Sequence, residues 1–201
     1  FRRSTFAFKK ENFEEGWKYF EYRWKVFPLN KTVWPIKKKP LWKGEKGSRV
    51  VLWKEQGIGD QIILLSLVPE VQDMCCSVSV YVDSRLHSLC KRTMPKINFI
   101  SDEIALKKEN FDYHLPLGSV PALVRNNIRD FGRTVSGYFK AASSRVESIR
   151  KELQLDGKTV IGISWRSFQS INQTKKSVQL HDLQRIFSGL NVVLVNLQYG
   201  D

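Results

Sequence analysis

The stretch Val50–Val51–Leu52–Trp53–Lys54–Glu55–Gln56–Gly57–Ile58–Gly59–Asp60–Gln61–Ile62 constrains the fold more than any other part of the chain. An apolar run breaks into a Gly-x-Gly-Asp turn and re-emerges as the amphipathic segment Gln61–Val71. Strand, glycine loop and helix in that order open a Rossmann-like unit, in which ligands gather beyond the carboxyl end of the strand. The order sets the Asp60 carboxylate at the mouth of the expected cleft.

Downstream the alternation continues. Val50–Lys54 predicts a strand, Asp60–Met74 a helix, Val78–Val82 a strand, and Ser84–Arg92 a helix opened by a serine cap. Ile97–Ile100 and Phe111–Pro116 predict two more strands, followed by short pieces around Gly118, Pro121 and Gly132. A β-α-β-α-β order argues for a parallel sheet covered on both faces. A second start follows: Ser143–Leu153 helical, Thr159–Ser164 a strand, Leu180–Phe187 a helix and Val192–Leu197 a strand. Upstream, Trp17, Phe20 and Trp24 fall on one helix face within Phe6–Val26, with Gly16 at some cost in helix propensity. Pro28 stops that helix, and Pro35 and Pro40 punctuate a lysine-rich connector. The expected plan is α/β: a closing helix over 1–27, a linker over 28–47, a first Rossmann-like domain over 48–140, and an incomplete second one over 141–201.

Composition narrows the function classes. The chain has 201 residues, 42% of them hydrophobic, which is enough for a packed core. Its net charge is +13, with lysine and arginine dispersed apart from Lys37–Lys39. Such a field attracts phosphates, nucleic acid or anionic surfaces without specifying any of them. No RRM, KH, helix-turn-helix or zinc pattern is present, which argues against a nucleic-acid binder. Cys75, Cys76 and Cys90 lack metal-ligand spacing, and an odd count fits reduced thiols in the cytoplasm. His87, His114 and His181 stand apart, so no metal site is expected. The first residue is Phe1, and the chain reads as an internal piece of a longer protein.

Several strings together carry a family resemblance. Gly16–Trp17 with Phe20–Glu21–Tyr22–Arg23–Trp24 resembles the last helix of a tetratricopeptide array. Leu41–Trp42–Lys43–Gly44–Glu45 and Leu52–Trp53–Lys54–Glu55–Gln56–Gly57–Ile58–Gly59–Asp60 follow, then Phe111–Asp112–Tyr113–His114–Leu115–Pro116–Leu117, Gly162–Ile163–Ser164–Trp165 and Leu197–Gln198–Tyr199–Gly200. In this order they resemble bacterial tetratricopeptide proteins with a tail like the heptosyltransferases of glycosyltransferase family nine. The resemblance implies a GT-B architecture, with acceptor on the first Rossmann-like domain and nucleotide-sugar on the second. It also implies metal-independent transfer without a cofactor, a glycan, lipid or protein acceptor, and a protein partner for the repeat array. The cytoplasm, or the inner membrane surface, is the corresponding location.

Glycosyl transfer needs a base for the acceptor hydroxyl and positive charge for the leaving diphosphate. Asp60 matches the position that the family assigns to the base, and it fits a helix N-cap for the amides of Ile62 or Ile63 equally well. Gly57 and Gly59 are expected to let the backbone turn sharply before it. Glu55 and Gln56 either brace that loop or touch a sugar hydroxyl. A phosphate cradle at Gly57–Asp60 is disfavoured by the carboxylate itself and by the missing Gly-Lys-Ser/Thr ending. In the second domain, Ser164–Trp165–Arg166 ends a strand and leads to Lys175–Lys176, a basic loop suited to a diphosphate. Trp165 either stacks on a sugar or base or packs. Tyr113 and His114 either line the acceptor side or are structural. With half of a donor pocket, this chain alone is expected to turn over little.

Overall fold

The computed structural model describes residues 2–26, 34–36, 38–133, 137–153, 157, 159–166 and 177–198. They form two compact units, divided between Lys140 and Ala141.

The first unit is built on β1 (Arg49–Trp53), β2 (Ser77–Tyr81), β3 (Asn98–Ile100) and β4 (Tyr113–Pro116). All pairings are parallel, in the order β3-β2-β1-β4. β1 is buried from Val50 to Trp53, as a central parallel strand with both faces covered must be. Val50 and Leu52 point into one core with Val78, Val80, Leu115 and the helices behind them. Val51 and Trp53 point into a second core with Tyr81, Ile100, Leu106 and Phe111.

The expected helix after β1 is two helices, α3 (Ile58–Leu65) and α4 (Val68–Met74). The break falls where Pro69 enters the first turn of α4, a place that proline tolerates. α5 (Ser84–Thr93) is capped by Asp83, whose side chain accepts from the Arg85 N–H, and not by Ser84. α6 (Glu103–Lys108), which the sequence reading did not anticipate, crosses from β3 to β4. The sheet order therefore reverses between β1 and β4, and that gap at the carboxyl edge is the topological switch point.

The segments upstream of β1 belong to this unit. α1 (Arg2–Lys9) and α2 (Phe13–Phe20) form a helical hairpin, followed by a 3-10 turn at Glu21–Lys25, where a single helix was expected. Gly16 has a packing reason: a Cβ there would lie 2.3 Å from the Phe8 ring. Trp17 stays with the hairpin, stacking on Phe8 at 4.4 Å, whereas Trp24 leaves that face for Trp34 and Trp53. The expected connector also packs into the unit. Ile36 and Trp42 are buried, and Leu41 bridges to His114, which covers the outer edge of β4.

The second unit holds α7 (Ser143–Glu152), β5 (Thr159–Ile163), α8 (Leu180–Phe187) and β6 (Val192–Asn196). β5 and β6 pair in parallel. None of the described residues of this unit is fully buried, and Ile186 and Leu197 are more than half exposed.

At the amino end of β1, Arg49 donates two side-chain hydrogen bonds to Asp112, at 2.6 and 3.2 Å, and its N–H donates a third at 3.0 Å. These bonds to the charged form hold the Asp112 carboxyl down to about 2. Because the folded value lies below the ordinary 3.8, the pair's contribution is present above that value and lost as pH falls through about 2. A carboxyl-detected NMR titration is expected to place the Asp112 midpoint near 2, and Arg49→Met to return it to the usual carboxylate range.

Candidate functional site

The carboxyl edge of the first sheet is organised by Glu55, two residues beyond β1. Its carboxylate accepts from Arg23 Nε at 2.8 Å and Nη2 at 2.9 Å, and from the Gly118 N–H at 2.7 Å. Both side chains of the ion pair are only 1% exposed. Arg23 comes from the 3-10 turn that follows α2, and its remaining donors reach Glu21 Oε1 at 2.8 Å and Ser119 Oγ at 2.8 Å. Phe20 and Trp24 flank the guanidinium, each ring centroid 4.6 Å away. Gly118 and Ser119 follow β4, so the cluster fills the switch point between β1 and β4. Burial pushes the Glu55 carboxyl up, against the pull of Arg23.

Of the two roles the sequence leaves open for Glu55, these contacts are those of a loop brace, with the carboxylate withdrawn from water. Gln56 belongs to the same loop, where its carbonyl accepts from Gln61 Nε2 at 3.2 Å. Gln61 Oε1 in turn accepts from the Asp83 N–H at 2.9 Å, tying the loop after β1 to the loop after β2. Gln61 is 3% exposed. The loop from Lys54 to Gly57 is thus anchored on one flank by Glu55 and on the other by Gln61.

Asp60 lies in the first turn of α3 and is exposed. It is not the N-cap, because Gly57 holds that position with φ −65° and ψ 171°. A carboxylate in the first turn is favoured there by the helix dipole. One Asp60 carboxylate oxygen lies 3.4 Å from the point where a Gly57 Cβ would stand. Neither Gly57 nor Gly59 has a positive φ, and a side chain at Gly59 would meet open space. The sharp turn expected of the two glycines is therefore an ordinary extended-to-helix transition.

His114 is structural rather than part of an acceptor surface. It sits within β4, 2% exposed, with Nδ1 accepting from Trp53 Nε1 at 3.0 Å. The Nε2–H then donates to the Lys39 carbonyl at 3.0 Å. Burial pushes its pKa down, which favours the neutral ring that this pattern requires. Tyr113 packs partly buried against the other core. Burial also pushes the Cys75 and Cys90 thiols up to about 11, so neither is an activated nucleophile. No cluster of metal-ligating side chains occurs among the described residues.

In the second unit, Ser164, Trp165 and Arg166 follow β5, and Gln198 follows β6. Gln198 Oε1 accepts from the Trp165 N–H at 3.1 Å, the Arg166 N–H at 2.8 Å and Ser164 Oγ at 3.3 Å. Its Nε2 donates to the Arg166 carbonyl at 3.0 Å. The Arg166 side chain is exposed and Trp165 is half-buried. Lys175 and Lys176 lie outside the described residues.

Sequence reasoning missed Arg23, Gln61 and Gln198. Gln61 had a readable signal: it is the polar member of an otherwise apolar face, one turn before the buried Leu65. Arg23 and Gln198 find their partners through tertiary contacts that no local pattern encodes.

No family model and no solved structure matches the chain. It is similar to Protein FlbA of Caulobacter vibrioides, 23% identical over 180 residues, covering 80% of this chain and 30% of that protein. The chain thus spans about a third of the length of the curated relative it matches. No helix among the described residues is long and apolar enough to cross a membrane.

The packing at Gly118 yields a direct test of the edge. A Cβ there would stand 2.1 Å from Glu55 Oε1 and 3.3 Å from Arg23 Nη2. Gly118→Ala is therefore expected to displace the carboxylate and destabilise the first unit by about 1–3 kcal/mol, as overpacking does, read by urea denaturation.

Proposed function

We propose that this chain is part of a metal-independent glycosyltransferase of the GT-B type, with Asp60 as the base for an acceptor hydroxyl. The observation that carries this reading is an exposed carboxylate at the carboxyl edge of a parallel sheet, in the first turn of a helix that follows a loop clamped from both sides. Asp60 takes the proton of the hydroxyl while its oxygen bonds to the anomeric carbon of the donor sugar. The bond from that carbon to the diphosphate breaks, and the nucleoside diphosphate leaves with the electron pair. Arg166 and the loop after β5 supply positive charge for that leaving group. The donor is a nucleotide-sugar, the acceptor a glycan, lipid or protein, and the cytoplasm or inner membrane surface the site of action. The α1–α2 hairpin closes a tetratricopeptide-like array, in keeping with the resemblance of Gly16–Trp24.

A second reading is a non-catalytic binding or scaffold module that keeps the fold. It is favoured by the Arg23–Glu55 pair, which occupies the switch point where an open parallel sheet ordinarily receives its ligand. Asp60→Asn separates the two, measured in the natural polypeptide that contains this chain, because none of the described residues of the second unit is fully buried. The transferase reading expects nucleotide binding unchanged and sugar transfer reduced by about 10²–10⁴-fold. Undiminished transfer by the variant removes Asp60 from the base role. Absence of any nucleotide-sugar binding removes the transferase reading altogether.

A further inference from the structure

Beyond β5 three donors converge on a single oxygen: the Trp165 N–H, the Arg166 N–H and the Ser164 hydroxyl all meet Gln198 Oε1, at 3.1, 2.8 and 3.3 Å. Consecutive amides pointing at one spot form an anion-binding concavity, and a hydroxyl beside them completes a cradle of the kind that holds a phosphoryl oxygen. The oxygen seated in it here is neutral and comes from the chain itself. Gln198 is placed for this by its own N–H, which donates to Asn196 Oδ1 at 2.7 Å, and by Nε2, which donates to the Arg166 carbonyl. The cradle opens to solvent, since Ser164 and Arg166 are exposed and Gln198 is only half-buried. It stands at the carboxyl ends of two adjacent parallel strands, the edge at which such sheets receive ligands.

The geometry points to a self-occupied anion site, in which the Gln198 side-chain oxygen holds the place of a diphosphate oxygen and yields it to the incoming ligand. This rests on the donor-side reading above and adds what that reading lacked, the group that must move. The exchange is favourable in kind, because hydrogen bonds from amides and a hydroxyl to an anionic oxygen are stronger than those to a neutral amide oxygen. The Arg166 guanidinium belongs to the same three-residue run and brings a full positive charge to it. Gln198 is thus an internal competitor, setting a threshold below which weak anions do not enter.

Isothermal titration of the natural polypeptide that contains this chain with inorganic pyrophosphate, and separately with ADP, GDP and UDP, tests the proposal. Gln198→Ala vacates the cradle and is expected to tighten pyrophosphate binding about fivefold, whereas Gln198→Glu keeps an acceptor there, now charged, and is expected to weaken it about tenfold or more. Ser164→Ala removes one donor, leaves Gln198 in place, and is expected to weaken binding about threefold to tenfold. Tighter binding by the alanine variant and weaker binding by the other two together support the proposal. Binding by Gln198→Ala no tighter than by the parent chain overturns it, as does pyrophosphate binding by none of the forms. Should Gln198→Ala fail to fold, unchanged affinity in both Ser164→Ala and Gln198→Glu overturns it equally. Pyrophosphate affinities in the expected order, with no nucleoside diphosphate bound, keep the cradle and sink the nucleotide-sugar reading.

Discussion

A guanidinium and a carboxylate, both almost wholly withdrawn from water, hold the first unit together where its sheet order reverses. Desolvating two charges is expensive, and their attraction offsets that cost only when every remaining donor and acceptor is met. Arg23 meets the condition through Glu55, Glu21 and Ser119, and Glu55 through Arg23 and the Gly118 amide. The pair therefore specifies geometry more than it adds stability. It fixes where the helical hairpin sits, where the loop after β1 runs, and how closely the turn after β4 approaches.

The rest of the edge follows from that fixed point. With the β1–β4 crevice occupied, the accessible carboxyl edge shifts to the β1–β2 side, where Asp60 is exposed and Gln61 ties the two loops together. The hairpin adds further anchors away from the ion pair. Trp17 Nε1 donates to the Arg125 carbonyl at 2.6 Å, Phe13 stacks on Phe131 at 4.8 Å, and Arg125 pairs with Glu70 on α4. Residues upstream of β1 are thus joined to α4, to the turn after β4 and to the loop that leads into α3.

The parallel sheet was legible because its signals are local. β1 is a continuous apolar run, β2 carries Val78 and Val80 in alternation, and the glycine loop separates strand from helix. The break before α4 was missed, and the cap at Asp83 was placed one residue late, the scale on which helix ends are decided by detailed hydrogen bonding. The candidate site was legible only at its tip. Asp60 stands out because it follows the glycines, while Glu55, beside it in sequence, resembles any loop carboxylate until Arg23 arrives from 32 residues upstream. Arg23 sits in a basic, aromatic segment where solvation is the ordinary expectation for a charge. Trp24 likewise follows helical spacing in the sequence, but the 3-10 turn redirects it toward Trp34 and Trp53.

Arg23 and Glu55 act as one buried unit, and a double-mutant cycle measures their coupling directly. Replacing Arg23 alone by Met is expected to cost about 3–5 kcal/mol, because it leaves Glu55 buried without its counter-charge. Replacing both residues by Met is expected to cost much less than the sum of the single changes, with a coupling energy of about 2–3 kcal/mol in chemical denaturation. Additive costs with a coupling near zero would show that the two side chains do not share a desolvated site, and would contradict the placement of the hairpin on the sheet edge.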